Sequence, residues 1–197
     1  MKKHILSLIV IVFTQYQLTA QIAKNNWIVS GGVNYTSANY SNLIDNSQIH
    51  NSNLTFSPAV GYFFVSKLAG GIRLQYADSR NKIQNFGDGM ASVNRTVDFI
   101  AGPFLRYYLF NETNRVLNFV IEVNYGIGSK KTYTSFLQKY AARQFGFVAG
   151  PVVYFTSSVG LELTAGYYNH HTDINNITTK GMQIGIAFQV YFGRGDD

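Results

Sequence analysis

The chain has 197 residues, 13% of them charged and 15% aromatic, with 18 glycines, three prolines and no cysteine. That length fits one domain and excludes a second large one, and the lack of cysteine excludes disulfides and a lipid-bearing N-terminal cysteine. The formal charge of +6 is dispersed, with Lys2 and Lys3 at the extreme amino end, and no dense basic run of the kind that binds nucleic acid occurs.

Residues 1–20 read as a signal peptide. Lys2 and Lys3 precede an apolar run from Ile5 to Phe13 that is too short to cross a bilayer, and Ala20 offers a small residue before a cut at Gln21. An exported chain does not meet the genome, a second reason to exclude nucleic acid.

From there the apolar residues recur at every second position, the period of strands whose two faces meet different surroundings. Strand one, Trp27 to Tyr35, sets Trp27, Val29, Val33 and Tyr35 against Ile28, Ser30, Gly32 and Asn34. The second spans about Asn53 to Tyr62 and the third Leu68 to Tyr76. The fourth, about Val93 to Tyr108, has Ile100 and Phe104 interrupting its polar face. The fifth, from Leu117, alternates through Phe119, Ile121, Val123, Tyr125 and Ile127 against Asn118, Glu122, Asn124, Gly126 and Gly128. The sixth covers about Gln144 to Phe155, the seventh Val159 to Tyr167, and the last Gly181 to Phe192. Most approach the roughly 9–11 residues that a tilted strand needs to span a bilayer.

Long polar gaps, such as Ser37 to Ser52 and Ala77 to Ser92, alternate with short ones at Phe63 to Lys67, Leu109 to Val116 and Thr156 to Ser158. An even strand number with alternating long and short connections predicts an all-β fold, an eight-stranded antiparallel up-and-down transmembrane β-barrel over 21–192, with a short tail at 193–197. Pro58, Pro103 and Pro151 each precede an aromatic (Tyr62, Tyr107, Phe155) by four residues, just before a short turn. Those aromatics suit the periplasmic water–lipid interface. The prolines lack an N–H for the ladder, so a bulge is expected at each.

A soluble barrel would alternate too, with its apolar face inward. Here the polar faces carry Gly, Ser, Thr, Asn and Gln rather than dense Lys and Glu, and small side chains suit the narrow lumen of eight strands. The apolar face is therefore expected outward, in lipid. The charges left inside, Arg73, Asp98, Arg106, Glu122 and Glu162, must then pair with one another. They read either as an ion or proton path or as a structural plug; the narrow lumen favours the plug, with Arg73–Glu122 the preferred pair.

The segments "GYFFVSKLAGGIRLQY", "GPFLRYYLF" and "IGIAFQVYF", taken in order, resemble the outer-membrane β-barrel domain family of small porin-like proteins of Gram-negative bacteria. The resemblance covers about Gln21 to Phe192. It implies a cell outer-membrane location, insertion by the barrel assembly machinery, and a C-terminal insertion signal with Tyr191 and Phe192 as its aromatics. It brings no shared catalytic motif.

The polar residues of the long gaps form no catalytic pattern. His50, His170 and His171 fall in the first and fourth long gaps, with Ser52 and Asp173 nearby in sequence, but no spacing fixes a nucleophile–base–carboxylate arrangement. Adjacent His170 and His171 would point to opposite strand faces, a poor start for a metal site. The segment "SKKTYTSFLQKYAAR" gathers Lys130, Lys131, Lys139 and Arg143 in a third long loop. These either reach lipopolysaccharide phosphates through charge-assisted hydrogen bonds or simply keep the loop solvated. Arg194-Gly195-Asp196 spells an integrin-binding tripeptide that this topology turns toward the periplasm, so chance accounts for it. The expectation is a non-enzymatic outer-membrane barrel, without cofactor or metal, acting through its extracellular loops and in contact with outer-membrane lipid. A narrow solute channel is one rival and a surface lipid-modifying enzyme another.

Overall fold

The computed structural model describes residues 22–42, 47–85, 91–110, 116–133, 137–173 and 177–193. The signal peptide expected over residues 1–20 and the Arg194-Gly195-Asp196 tripeptide lie outside these described residues. Eight strands follow one another: β1 (Trp27–Asn42), β2 (Ser47–Val65), β3 (Leu68–Asn85), β4 (Ala91–Tyr108), β5 (Leu117–Tyr133), β6 (Leu137–Tyr154), β7 (Val159–Thr172) and β8 (Ile177–Phe192). Each pairs antiparallel with the next, and β8 returns to β1 to close the barrel.

The alternation resolves as the sequence predicts. Along β5, Leu117, Val123, Tyr125 and Ile127 are exposed while Asn118, Val120, Glu122 and Gly126 are buried. Ile186 and Phe188 on β8, Ile72 on β3 and Phe99 on β4 are likewise turned out. An outer wall of this composition is stable only against hydrocarbon, because apolar area left in water costs about 25 cal/mol per Å². The barrel is therefore transmembrane. At the lower rim the Trp27 and Tyr62 rings meet edge to face at 5.1 Å, and the Tyr62 hydroxyl donates to Asn25 Oδ1 at 2.9 Å. That is the interfacial position expected for an aromatic with a polar tip.

Two expectations are corrected. The long gaps are mostly strand: β1 and β2 stay paired up to Asn42↔Ser47, and β3 and β4 up to Gln84↔Ala91. These stretches lack hydropathic alternation because both faces meet water above the membrane, so polarity concealed a continuing backbone ladder. The strands run from 14 residues in β7 to 19 in β2, longer than a bilayer requires. They rise as four hairpins beyond the apolar band.

The prolines do not sit at bulges. Pairing of β2 with β3 stops at Phe56↔Tyr76 and resumes at Ala59↔Arg73 without change of register, omitting Ser57 and Pro58. The same gap follows Ala101↔Ile127 around Pro103 and Ala149↔Ala165 around Pro151. Each proline pairs on the side facing the preceding strand and leaves the other side unbonded, so a local interruption replaces the extra residue of a bulge. Gly102 and Gly150 precede two of them, and a Cβ there would lie 2.0 Å from the Tyr125 or Leu163 carbonyl oxygen. The register shift in this ladder lies instead between Phe63 and Val65, at the β2–β3 turn.

Candidate functional site

The lower lumen is filled. Arg106 on β4 is buried at 1% exposure, with its Nε and Nη2 donating to Glu122 Oε2 at 2.9 and 2.6 Å and Nη1 donating to Glu162 Oε2 at 2.9 Å. Register explains the meeting: Arg106 pairs directly with Glu122 of β5, while Glu162 reaches in from β7. Arg73 Nη2 of β3 lies 2.8 Å from both oxygens of Glu122, and Asn124 donates to Oε1 at 3.2 Å. The Arg73 and Arg106 guanidinium carbons each lie 5.8 Å from the Phe104 ring centroid. Phe104, which interrupts the polar alternation of β4, thus stands between two cations. Removing either partner from such a cluster leaves an uncompensated buried charge, at a cost of about 3–5 kcal/mol.

Below the ions lies a layer that sequence reasoning missed. Tyr108 donates to Gln189 Oε1 at 2.9 Å, and the Tyr191 hydroxyl donates to that of Tyr108 at 3.1 Å. Gln189 also donates to Glu162. Tyr154 stands 3.4 Å from Tyr191, and Phe63, Val120 and Val152 complete the packing. The signal was present: Tyr108, Tyr154 and Tyr191 all fall on the inward parity, among glycines and amides. The chain before β1 closes the mouth. Ile22 is fully buried, its carbonyl accepts from Lys67 N at 2.9 Å, and Asn25 N donates to Phe63 O at 2.8 Å. Asn25 and Lys67 both have positive φ, 73° and 71°, at these two tight bends.

The upper lumen is open. A cavity of about 920 Å³ is bordered by Arg73, Gln75, Asp98, Lys130, Gln144 and His170 among others. Asp98, placed with the other lumen charges by its sequence parity, stands apart from the Arg73–Glu122–Arg106–Glu162 cluster and faces Lys130 at 4.0 Å. Gln75 and Gln144 exchange hydrogen bonds across the barrel, one at 3.0 Å and the other at 3.4 Å. Arg73 Nε, Asp98 Oδ1 and His170 Nε2 are buried without a protein partner among the described residues.

The four basic residues expected in a loop stand on strands. Lys131 of β5 pairs with Lys139 of β6, and Arg143 of β6 with Ile127, all on the outward parity. Lys130 points the other way, into the lumen. The two aromatics expected in an insertion signal separate likewise: Tyr191 is buried in the lower lumen and Phe192 is outside.

The histidines also belong to strands. His50 on β2 bonds Asn39 of β1. His170 on β7 lies inside, 3.4 Å from Gln144. His171 lies outside, 3.1 Å from Thr178 Oγ1 and 3.7 Å from Asp173. β2 and β7 are not neighbours, so the structure does not bring His50 and His170 together. Among the described residues no group of three or more His, Asp or Glu is placed to hold a metal.

No protein-family model matches the chain, and no curated protein matches it in sequence. Among solved structures it is similar to Neisserial surface protein A, with TM-score 0.51 and 10% identity over 84% of this chain and 96% of that one. The outer membrane protein OprG from Pseudomonas aeruginosa aligns with TM-score 0.47 and 12% identity, over 87% of this chain and 98% of that one. Ail, the attachment invasion locus protein of Yersinia pestis, aligns with TM-score 0.39 and 16% identity, over 86% and 99%. At such identities only the course of the backbone is comparable. With eight antiparallel strands closed on themselves, apolar outside and filled below, the chain has the fold of the small outer-membrane β-barrels.

Proposed function

We propose that this barrel sits in the outer membrane of a Gram-negative bacterium as a non-enzymatic surface protein, inserted by the barrel assembly machinery. It acts through its extended hairpins and holds lipopolysaccharide at their base. The observation that carries this reading is the outward face above the apolar band. There Arg80, Lys82, Lys131, Lys139, Arg143 and Lys180 follow the lipid-facing residues on their strands, with Asp78 as an acid among them. Cations at the height of the outer-leaflet headgroups match phosphate groups through charge-assisted hydrogen bonds. The Arg143–His171 pairing and the nearby Lys180 extend this chemistry across β6, β7 and β8.

Axial conduction is a poorer account. Arg106, Glu122, Glu162 and the three tyrosines fill the lower lumen, and barrels of eight strands leave little space beyond their side chains. The test is the protein inserted in asymmetric bilayers with lipopolysaccharide in one leaflet. The wild type should retain lipopolysaccharide on extraction and show no discrete current steps. Lys131→Glu/Lys139→Glu/Arg143→Glu should lose most of the bound lipopolysaccharide while remaining folded. Unchanged retention would overturn the contact, and stable current steps would favour the channel.

A further inference from the structure

The barrel is closed unequally around its circumference. β1 and β8 pair from Trp27↔Phe192 to Val33↔Ile186 and then part, although β1 stays paired with β2 to Asn42 and β8 with β7 back to Ile177. Above the parting, Asn34 Nδ2 donates to the Ile184 carbonyl at 3.0 Å, a side chain standing where a ladder bond would be. Met182 and Ile184 are 83% and 71% exposed. The upper cavity reaches this seam: besides its polar wall it is lined by Val33, Met182, Ile184 and Ile186, which lie on the lipid side. Unpaired backbone at membrane depth is tolerated only where it borders protein or a polar cavity. The parting of β1 and β8 meets that condition, because the cavity borders it.

We propose that this seam is a lateral portal, and that the upper lumen binds a single-chain amphiphile with an uncharged or zwitterionic head. The volume of about 920 Å³ lies within the range of small-molecule sites, about 300–1,000 Å³. The head has partners waiting: Arg73 Nε is an unused donor, Asp98 Oδ1 an unused acceptor, and His170 Nε2 serves as either. Inside the lumen Arg73, Arg106 and Lys130 balance Asp98, Glu122 and Glu162, so a head of net charge would go uncompensated. The chain leaves over Val33, Ile184 and Ile186. The site does not use the hairpin cations, so it stands or falls separately from the lipopolysaccharide contact.

The absence of cysteine allows a reversible test. Tyr35 and Ile184 would be the next outward pair if the register continued, so Tyr35→Cys/Ile184→Cys closes the seam on oxidation. The protein in nanodiscs is titrated with a pyrene-labelled lysophosphatidylcholine. Wild type and the reduced variant should bind it saturably; oxidation should weaken binding by about tenfold or more, and reduction should restore it. Ile184→Cys alone should bind equally in both states. Equal affinity of the oxidised and reduced double variant overturns the portal. No saturable binding to wild type overturns the site. A crosslink between two molecules assigns the open strand edges to a second copy of the chain and overturns the amphiphile.

Discussion

In the lower lumen Arg106, Glu122 and Glu162 are buried and mutually bonded, whereas in the upper lumen Asp98 and Lys130 face each other at 4.0 Å across an open cavity. Both chambers are built from the same two-residue alternation. They differ in the side chains that face inward: Phe63, Phe104, Tyr108, Tyr154 and Tyr191 fill the lower lumen, packed over Gly61, Gly71 and Gly160, while the cavity above is lined largely by small residues such as Ser30, Gly32, Ser57, Ala77 and Thr164. Large side chains can satisfy and exclude; small ones leave space. The lower chamber is the part that holds the barrel shut, and the upper one is the part free to bind.

The comparison can be broken most severely at Arg106. Arg106→Leu leaves Glu162 buried without its cation and Glu122 with Arg73 alone, and should destabilise the barrel by about 3–5 kcal/mol, read as a lower urea midpoint for loss of the folded form, the band whose gel migration shifts on boiling. A midpoint equal to wild type would mean the lower chamber is not the structural one. A milder change at the same level is Tyr191→Phe, which removes the hydroxyl shared with Tyr108 and should cost about 1 kcal/mol. The matched change above, Lys130→Met, should move the midpoint less, since Asp98 borders the cavity; a larger loss at Lys130 than at Tyr191 would invert the assignment.

The smallest effect lies above the hydrocarbon core. The hydrogen bond from Arg95 to Asp78, with the charge of Arg95 beside it, holds the Asp78 carboxyl below the usual carboxylate range. A depressed folded value contributes stability above the unfolded value of about 3.9 and loses it as pH falls through the folded one. Asp78→Asn should thus be slightly less stable than wild type at pH 6, and the difference should vanish at a pH low enough to protonate the folded carboxyl as well. A difference that persisted at that pH would exclude the ion pair as its source.

Much of this architecture was legible before any coordinates. The alternation from Leu117 to Ile127 assigned both faces of β5, and the need to pair buried charge singled out Arg73 with Glu122, which stand 2.8 Å apart. Sequence could not show that Arg106 shares Glu122 and adds Glu162, because that depends on register across three strands. The hairpins were hidden for another reason. Period two is visible only where the two faces meet different solvents, and above the membrane the paired backbone of β1 and β2 beyond Ser37↔Ser52 has water on both. Lys130 was grouped with Lys131 by proximity in sequence, yet a strand turns neighbours to opposite sides. The tyrosine layer was overlooked because an aromatic near a strand end reads as an interfacial anchor until its parity is checked.

The proline interruptions have a consequence of their own. Pro58, Pro103 and Pro151 loosen the seams β2–β3, β4–β5 and β6–β7, each in the lower half of its strands, and β8 leaves β1 above Val33. Alternate seams around the circumference are thus slack at comparable heights, while those between them carry through. Such a wall behaves as four stiff staves joined by soft mortar along one course, so the upper rim can widen or narrow by tilting whole hairpins while the floor keeps its shape.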